Sequence, residues 1–202
     1  MTGRDVARFQ RCVGGGGVAL FPADTVYGLA ADPDSRAGVE RLYELKGRPA
    51  ARPAAVMFFA LEAALAALPE LPPRTRAAVE RSLPGAITLV VPNPGRRYPL
   101  ACGPRPEALG LRVPELSGPL APLARAEHPV LQSSANPSGG ADPRRLDDVD
   151  PRLRAGVDLA LDAGELPGNP STVVDLTRYE DSGDWRVLRE GAVGADRLRR
   201  LL

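Results

Sequence analysis

The sequence predicts a single α/β domain over residues 1–202, and two observations support this prediction. Short apolar segments typical of strands alternate with helix-like segments along the chain, as in α/β folds. The 202 residues, 44% of them hydrophobic, are enough for one sizeable core. No internal repeat or low-complexity linker divides them.

The helix predictions rest on apolar residues spaced three and four apart and on signals at helix ends. The first helix has apolar residues on one face and ends at the glycine run 14–17. The second begins at a cap formed by Asp34 or Ser35 and ends at Lys46. Further helices are predicted at residues 61–68, 73–83, 117–126 and 195–202.

Strands are predicted where short apolar runs are bounded by Gly, Pro, Asn or Asp. The predicted strands are residues 18–21, 54–59, 87–91, 109–113, 130–133, 157–161, 172–176 and 186–189. The polar stretch 179–184 is predicted to form an exposed turn.

Composition and charge exclude several functional classes. A formal net charge of +1 gives no bulk signal for nucleic-acid binding. Cys12 and Cys102, the only cysteines, supply neither a disulfide framework nor a zinc site. His128, the only histidine, has no nucleophile motif beside it and is expected at a loop or helix end. The sequence has no evident signal peptide and no apolar run long enough to span a membrane, so a cytoplasmic location is expected.

Lys46 is the only lysine among the 26 basic residues of the sequence. A chain that uses arginine everywhere else indicates that this position needs a compact ammonium charge. Such a charge suits a phosphate oxygen held in a tight pocket. The alternative is a chance lysine on a solvated loop.

Four loop segments next to predicted strands combine hydroxyl side chains with glycine and proline. They are residues 22–29, 46–49, 133–139 and 169–172. Function is often carried by loops on a rigid scaffold, and hydroxyls, backbone amides and a Lys/Arg pair bind phosphate and carboxylate oxygens. Ordinary turn chemistry is the alternative for each segment taken alone.

Arg112 and Arg189 lie within apolar strand-like segments, where a charged side chain needs either the sheet edge or an anionic partner. We expect an anionic ligand to be the partner of at least one of them, with a local salt bridge as the alternative. Neither a P-loop nor a G-x-G-x-x-G turn after a strand occurs, so nucleotide chemistry would use a less common scaffold.

Seven short motifs, taken in order, resemble those of the YrdC-like family of threonylcarbamoyl-AMP synthases. They are P-A-D-T-V-Y-G-L at 22–29, K-G-R-P at 46–49, P-G-A-I-T at 84–88, L-R-V-P at 111–114, S-A-N-P-S-G at 134–139, S-T-V-V-D at 171–175 and L-R-E-G at 188–191. The motifs span almost the whole chain, which resembles the short, single-domain members.

The resemblance implies a twisted mixed sheet with flanking helices and a large basic cavity. It implies that L-threonine, bicarbonate or CO2, and ATP react to give threonylcarbamoyl-AMP and pyrophosphate for tRNA modification. Transfer RNA and tRNA-modification proteins are therefore expected partners. Mg²⁺ is expected mainly on the ATP phosphates, with Asp24 as the one motif carboxylate considered as a ligand.

The resemblance also assigns roles to eight side chains. Lys46 and Arg48 are expected to hold the ATP phosphates and to offset charge on the leaving pyrophosphate, which is the catalytic role. The other expected site residues are Ser134, Asn136 and Arg189 near the nucleotide, and Thr25, Arg112 and Ser171 at threonine or its carbamate.

Three positions depart from the family pattern. Ala23 removes a hydroxyl from the first loop, and Ala86 replaces a proline. Gln132 places a long amide where the family has small residues, so it is expected to narrow or reshape the pocket and bears on substrate choice.

Three alternatives remain at this stage. The chain could be a YrdC-like module that binds RNA without chemistry, through clustered arginines at 96–97, 144–145, 152 and 154. It could be a carbamoyl-adenylate enzyme of the hydrogenase-maturation type, although those proteins carry additional segments. It could also be a relative of the same fold with another substrate, an option suggested by Ala23 and Gln132.

Overall fold

A computed structural model describes residues 1–49 and 51–202. The strands are β1 (Ala19–Pro22), β2 (Tyr27–Ala31), β3 (Ala55–Met57), β4 (Ile87–Pro92), β5 (Ala108–Arg112), β6 (Val130–Ser134), β7 (Leu159–Ala160), β8 (Thr172–Asp175) and β9 (Arg186–Arg189). Within the described residues they form one sheet, in the order β7-β1-β2-β6-β3-β5-β4-β8-β9. The pairs β1/β7, β3/β5 and β4/β8 are parallel and the others are antiparallel, so the sheet is mixed.

Helices flank this sheet. They are α1 (Gly3–Gly14), α2 (Arg36–Lys46), α3 (Leu61–Ala67), α4 (Pro73–Ser82), α5 (Pro99–Cys102), α6 (Pro151–Gly156), α7 (Tyr179–Ser182) and α8 (Ala195–Leu201), with 3₁₀ segments at Gly118–Arg125 and Leu146–Asp148. Helix α2 packs on β2, α4 on β4, and α5 on β3 and β5. The predicted α/β class with a mixed sheet is confirmed.

The signals at the ends of α2 act as predicted. Ser35 Oγ accepts a hydrogen bond from the Gly38 amide at 3.2 Å, which makes Ser35 the cap. Gly47 ends the helix in the left-handed region, with φ of 57°, and this tight exit turns the chain directly after Lys46.

Several predicted elements differ from the structure. The strand β2 was expected to be part of a loop, but it is fully buried between β1 and β6. The segment 117–126 forms 3₁₀ rather than α-helix, because prolines within it remove backbone donors. The predicted exposed turn at 179–184 is wrong for Tyr179, which begins α7 and is 3% exposed. The strand predicted at residues 157–161 is shorter in the structure, where only β7 (Leu159–Ala160) is a strand.

The strand register gathers one set of side chains on a single face, because directly paired residues point to the same side of a sheet. The middle row consists of paired residues on four neighbouring strands: Gln132, Ala55, Gly110 and Val90. Arg112 and Thr88 pair with each other one row to one side of the middle row. Ser134, two residues beyond Gln132, lies one row to the other side.

No helix within residues 1–49 and 51–202 has the length and apolar character that a membrane crossing requires. His128 lies in an exposed bend before β6, as expected for a loop residue.

Candidate functional site

A cavity of about 240 Å³ lies over the middle row, and all four middle-row residues line it. Its lining includes four arginines and, among the described residues, no aspartate or glutamate. These arginines are Arg48, Arg105, Arg112 and Arg189. The predicted basic cavity is therefore present. We call its two sides the Arg112 end (Asp24, Thr25, Thr88, Arg112, Ser171) and the Lys46 end (Lys46, Arg48, Ser134, Asn136).

The floor of the cavity is made of small side chains. A Cβ atom on Gly110 would lie 3.1 Å from the Cα of Ala55 and 3.2 Å from the carbonyl oxygen of Ala54. A larger residue at Gly110 would therefore displace β3, so the close approach of β3 and β5 requires glycine. Ala55 and Ala108 add no bulk above the sheet, which leaves room for a ligand.

At the Arg112 end, the guanidinium is 2% exposed and has protein partners. Its Nη2 donates to Asp24 Oδ1 and, at 3.1 Å, to Thr25 Oγ1. The other carboxylate oxygen of Asp24 accepts from the Glu115 amide at 3.1 Å. For Arg112, the alternative of a salt bridge within the protein is thus the one found. The expectation that an anionic ligand partners at least one of Arg112 and Arg189 stays a prediction, now for Arg189. The contact of Arg112 with threonine also remains a prediction.

This buried ion pair offsets part of its own desolvation. Burial raises the pKa of Asp24, and the positive charge of Arg112 opposes that rise. Burial also lowers the pKa of Arg112, and Asp24 opposes that change. Each charge therefore depends on the other to remain in a place that water does not reach.

Ser171 connects this end of the cavity to β9. Its Oγ lies 2.8 Å from Thr88 Oγ1. Arg189 Nη2 donates to Ser171 at 2.7 Å to the carbonyl oxygen and 3.2 Å to Oγ. The structure thus brings Arg189, predicted near the nucleotide, next to a residue predicted at threonine. Partial burial lowers the pKa of Arg189.

Lys46 is 3% exposed and anchors the segment that follows β6. Its Nζ donates to the Ser134 carbonyl oxygen, to the Asn136 carbonyl oxygen at 2.7 Å and to Asn136 Oδ1 at 3.1 Å. In return, the Ser138 amide donates to the Lys46 carbonyl oxygen at 3.0 Å. All three ammonium donors are therefore engaged with protein oxygens, and Lys46 lies behind the lining of the cavity rather than in it.

The partners of Lys46 are neutral, unlike those of Arg112. Burial, together with the nearby positive charge of Arg48, lowers the pKa of Lys46 to about 8. The negative charge of Asp142 opposes this shift without a hydrogen bond to the ammonium. The alternative that Lys46 is a chance lysine on a solvated loop is thus excluded, because its side chain is buried.

Arg48 faces the cavity directly. Its Nη2 donates to the Pro53 carbonyl oxygen, and its Nε lies 3.4 Å from the Arg52 carbonyl oxygen. Its guanidinium carbon is 5.7 Å from the centre of the Tyr43 ring, a cation–π distance. Burial lowers the pKa of Arg48. The side chain is half-buried, so its remaining donors can reach a ligand.

Ser134 and Asn136 form a local network at the same end. Ser134 Oγ donates to Asn136 Oδ1 at 2.6 Å, and Asn136 Nδ2 donates to the Gly140 carbonyl oxygen. Lys46 reaches into this network, so the predicted nucleotide residues Lys46, Ser134 and Asn136 do lie together.

Sequence reasoning missed three features of the site. Thr88 was quoted in a motif but received no role, although it lines the cavity and bonds to Ser171. Arg105 also lines the cavity; it follows a Gly-Pro pair, and nothing in its sequence context signals a site. The pairing of Asp24 with Arg112 joins residues 88 apart, which sequence patterns do not reveal.

The clustered arginines considered for RNA binding are largely paired with carboxylates. Arg97 bonds to Glu70, both Arg144 and Arg145 to Glu165, and Arg154 to Asp147. These exposed ion pairs reduce the positive charge that a phosphate backbone would meet.

The fold and the cavity together define an α/β protein that presents a positively charged small-molecule cavity on one face of a mixed sheet. The chain belongs to the Sua5/YciO/YrdC family, whose family model, described as "Telomere recombination", matches residues 12–191. The family that the seven motifs predicted is thereby confirmed.

Relatives of the chain bear the name threonylcarbamoyl-AMP synthase. The protein from Stenotrophomonas maltophilia is 35% identical over 180 residues, which cover 86% of this chain and 91% of the relative. The protein from Pyrococcus abyssi is 29% identical over 188 residues, which cover 93% of this chain and 54% of the relative. The chain thus spans about half the length of the Pyrococcus protein and most of the Stenotrophomonas one.

Two solved structures show the same fold. Pyrococcus abyssi Sua5 complexed with L-threonine matches with a TM-score of 0.85 and 26% identity, over 100% of this chain and 58% of that one. Escherichia coli YciO matches with a TM-score of 0.76 and 25% identity, over 96% of this chain and 92% of that one.

Proposed function

We propose that this chain is a threonylcarbamoyl-AMP synthase that joins L-threonine, bicarbonate or CO2, and ATP, and releases pyrophosphate. The names of its relatives and the L-threonine bound to Pyrococcus Sua5 support the proposal. The product would serve tRNA modification in the cytoplasm, with tRNA and the modification proteins as downstream partners.

One observation carries this proposal: a single cavity joins a hydroxyl-rich end to a cationic end. The hydroxyls of Thr25, Thr88 and Ser171 suit the carboxylate and hydroxyl of threonine. The charges of Lys46 and Arg48, neither of which forms an ion pair among the described residues, suit a polyphosphate. The small floor between the two ends leaves room for the group that links them.

The reaction has two steps. The neutral amine of threonine attacks the carbon of CO2 and loses a proton, which gives a carbamate. A carbamate oxygen then attacks the α-phosphorus of ATP, the bond between that phosphorus and the bridging oxygen breaks, and pyrophosphate leaves with the electron pair. Such phosphoryl chemistry depends on positioning and on charge neutralisation.

Arg48 is the more direct of the two cations in this proposal, because it lines the cavity. Lys46 holds Ser134 and Asn136 in place and contributes a positive charge behind them. To touch a phosphate oxygen itself, Lys46 would exchange one of its three protein acceptors for that oxygen.

Mg²⁺ would bind through the ATP phosphates in this proposal. Both carboxylate oxygens of Asp24 are already engaged, so Asp24 does not fit the role of a metal ligand. No group of three or more acidic, histidine or cysteine side chains suited to a metal occurs in the described part of the chain. The ion would neutralise the phosphates and leave the protein contacts to Arg48.

Pyrophosphate release tests the proposal. We expect release from ATP only when L-threonine and bicarbonate are both present, with threonylcarbamoyl-AMP detected by mass spectrometry. Release that is independent of threonine would contradict the proposal. Salt-sensitive RNA binding without ATP binding would favour the RNA-binding alternative.

A further inference from the structure

Gln132 differs from three other polar side chains of the cavity, those of Thr25, Arg48 and Ser134. It lines the cavity from β6 and is half-buried. Thr25, Arg48 and Ser134 all use their side chains to bond to the protein. Within residues 1–49 and 51–202, the amide of Gln132 has no hydrogen-bond partner, so it presents a donor and an acceptor to whatever occupies the cavity.

The chain makes room for this amide. The Nε2 atom of Gln132 lies 2.9 Å from the position that a Cβ atom on Gly28 would occupy. Any side chain at Gly28 would therefore displace the amide. The next two residues of the middle row are Ala55 and Gly110. Neither has a side chain long enough to contact the Gln132 amide.

The register locates Gln132 between the two ends of the cavity. Ser134 lies two residues further along β6, about 7 Å away on the same face. The row that contains Arg112 lies a similar distance in the other direction. A ligand that contacts both ends must pass the middle row, and Gln132 is the middle-row residue with a polar side chain.

We infer that Gln132 donates a hydrogen bond from Nε2 to the carbamoyl group, or to the α-phosphate joined to it, during adenylate formation. This inference rests on the proposed function, in which the carbamoyl group joins the threonine and phosphate parts at the middle row. The amide stays neutral and transfers no proton. It stabilises the negative charge on oxygen while the carbamate–phosphorus bond forms and pyrophosphate leaves.

Gln132→Met tests the inference because methionine has nearly the same length and no amide. We expect kcat for threonine-dependent pyrophosphate release to fall about 10- to 100-fold, as when one donor to a developing charge is removed. The KM values for threonine and ATP are expected to change less than about threefold, since the donor acts mainly on the reacting group. A role in packing alone would be preserved in this variant.

The matched control is Gln10→Met, which alters the only other glutamine of the sequence, on α1 outside the cavity. It should leave kcat unchanged. A second variant, Gln132→Glu, keeps the side-chain length but places a carboxylate beside the phosphate. It should lower kcat more than Gln132→Met does.

The outcomes separate the two proposals. If the wild-type protein releases no pyrophosphate, the proposed function fails and the role of Gln132 fails with it. If wild-type protein is active and folded Gln132→Met or Gln132→Glu retains kcat within about threefold, the role of Gln132 is overturned and the function stands. A loss that appears only in the KM for threonine would also overturn the proposed contact with the reacting group.

Discussion

The two ends of the cavity both contain a buried cation, yet the protein treats the two charges differently. Arg112 is neutralised by Asp24, a carboxylate inside the protein. Lys46 is surrounded by carbonyl and amide oxygens, with Arg48 nearby and no ion pair among the described residues. Arg112 is therefore neutralised without a ligand, whereas Lys46 and Arg48 at the other end are not. Arg189, which bonds to Ser171 beside Arg112, also forms no ion pair among the described residues. A polyphosphate is accordingly expected at the Lys46 end.

The largest effect should follow from breaking the ion pair at the Arg112 end. Asp24→Asn leaves the Arg112 charge buried and unpaired, which should lower the free energy of unfolding by about 3–5 kcal/mol. Denaturant titration measures this. Glu80→Gln, which breaks an exposed pair with Arg76, is the matched control and should change stability by at most about 1 kcal/mol.

A double variant refines this prediction. Asp24→Asn combined with Arg112→Met removes both charges, so much of the lost stability should return. If the double variant were less stable than Asp24→Asn alone, the ion pair would not be the source of the effect.

Lys46→Arg should have the next largest effect, on activity. The planar guanidinium cannot reproduce the three bonds from one ammonium to the oxygens of Ser134 and Asn136. We expect kcat/KM for ATP to fall about 100-fold although the charge is kept. Steady-state pyrophosphate assays measure this. Wild-type kinetics in Lys46→Arg would show that the geometry of these bonds is unimportant.

The pH dependence should reveal the depressed pKa of Lys46. Its pKa of about 8 means that the ammonium loses its proton above that pH, so ATP affinity should fall about tenfold per pH unit there. Lys46→Met, titrated in parallel with ATP by calorimetry, should lack this fall. A pH-independent affinity in wild-type protein between pH 7 and 9, roughly one unit either side of this pKa, would contradict the assignment.

The same shift has a consequence for folding. Between about pH 8 and the ordinary lysine value of 10.5, the unfolded chain holds the Lys46 proton and the folded chain does not. The contribution of Lys46 to stability should therefore increase with pH over this interval. Unfolding measured at several pH values for wild-type protein and Lys46→Met isolates this contribution.

Thr88→Val should produce the smallest effect. It removes the 2.8 Å hydrogen bond to Ser171 while the side chain keeps its shape. We expect the KM for threonine to rise by a factor of about five, equivalent to about 1 kcal/mol. Thr177→Val, which removes a hydroxyl bonded to Asp175 outside the cavity lining, should leave that KM unchanged.

Local signals predicted much of the fold, and the failures have physical causes. The Ser35 cap and the Gly47 exit of α2 follow from residues adjacent in sequence. By contrast, β2 begins beside a Pro-Ala-Asp loop and contains a glycine, so its strand character comes from pairing with β1 and β6. Tyr179 lies in a polar segment, and the groups that contact it are distant in sequence: Arg74 lies over its ring and Leu202 accepts a hydrogen bond from its hydroxyl.

In the candidate site too, features local in sequence were predicted and contacts between distant residues were not. Motifs identified the cationic loop and the hydroxyl groups, because each is continuous in sequence. The state of the charges was not predictable, since Asp24 meets Arg112 and Lys46 meets Asn136 only through the sheet and the loops at its edge. Whether a cation is neutralised by the protein or left for a ligand is a property of tertiary structure.

ATP affinity in two variants tests the difference between the ends most directly. Calorimetry with Arg48→Met should show ATP binding weakened by at least about tenfold, through loss of a charge-assisted contact. The Asp24→Asn, Arg112→Met double variant should bind ATP within about threefold of wild type and lose threonine affinity instead. If ATP binding fell in the double variant and persisted in Arg48→Met, the phosphates would lie at the Arg112 end and the account would be wrong.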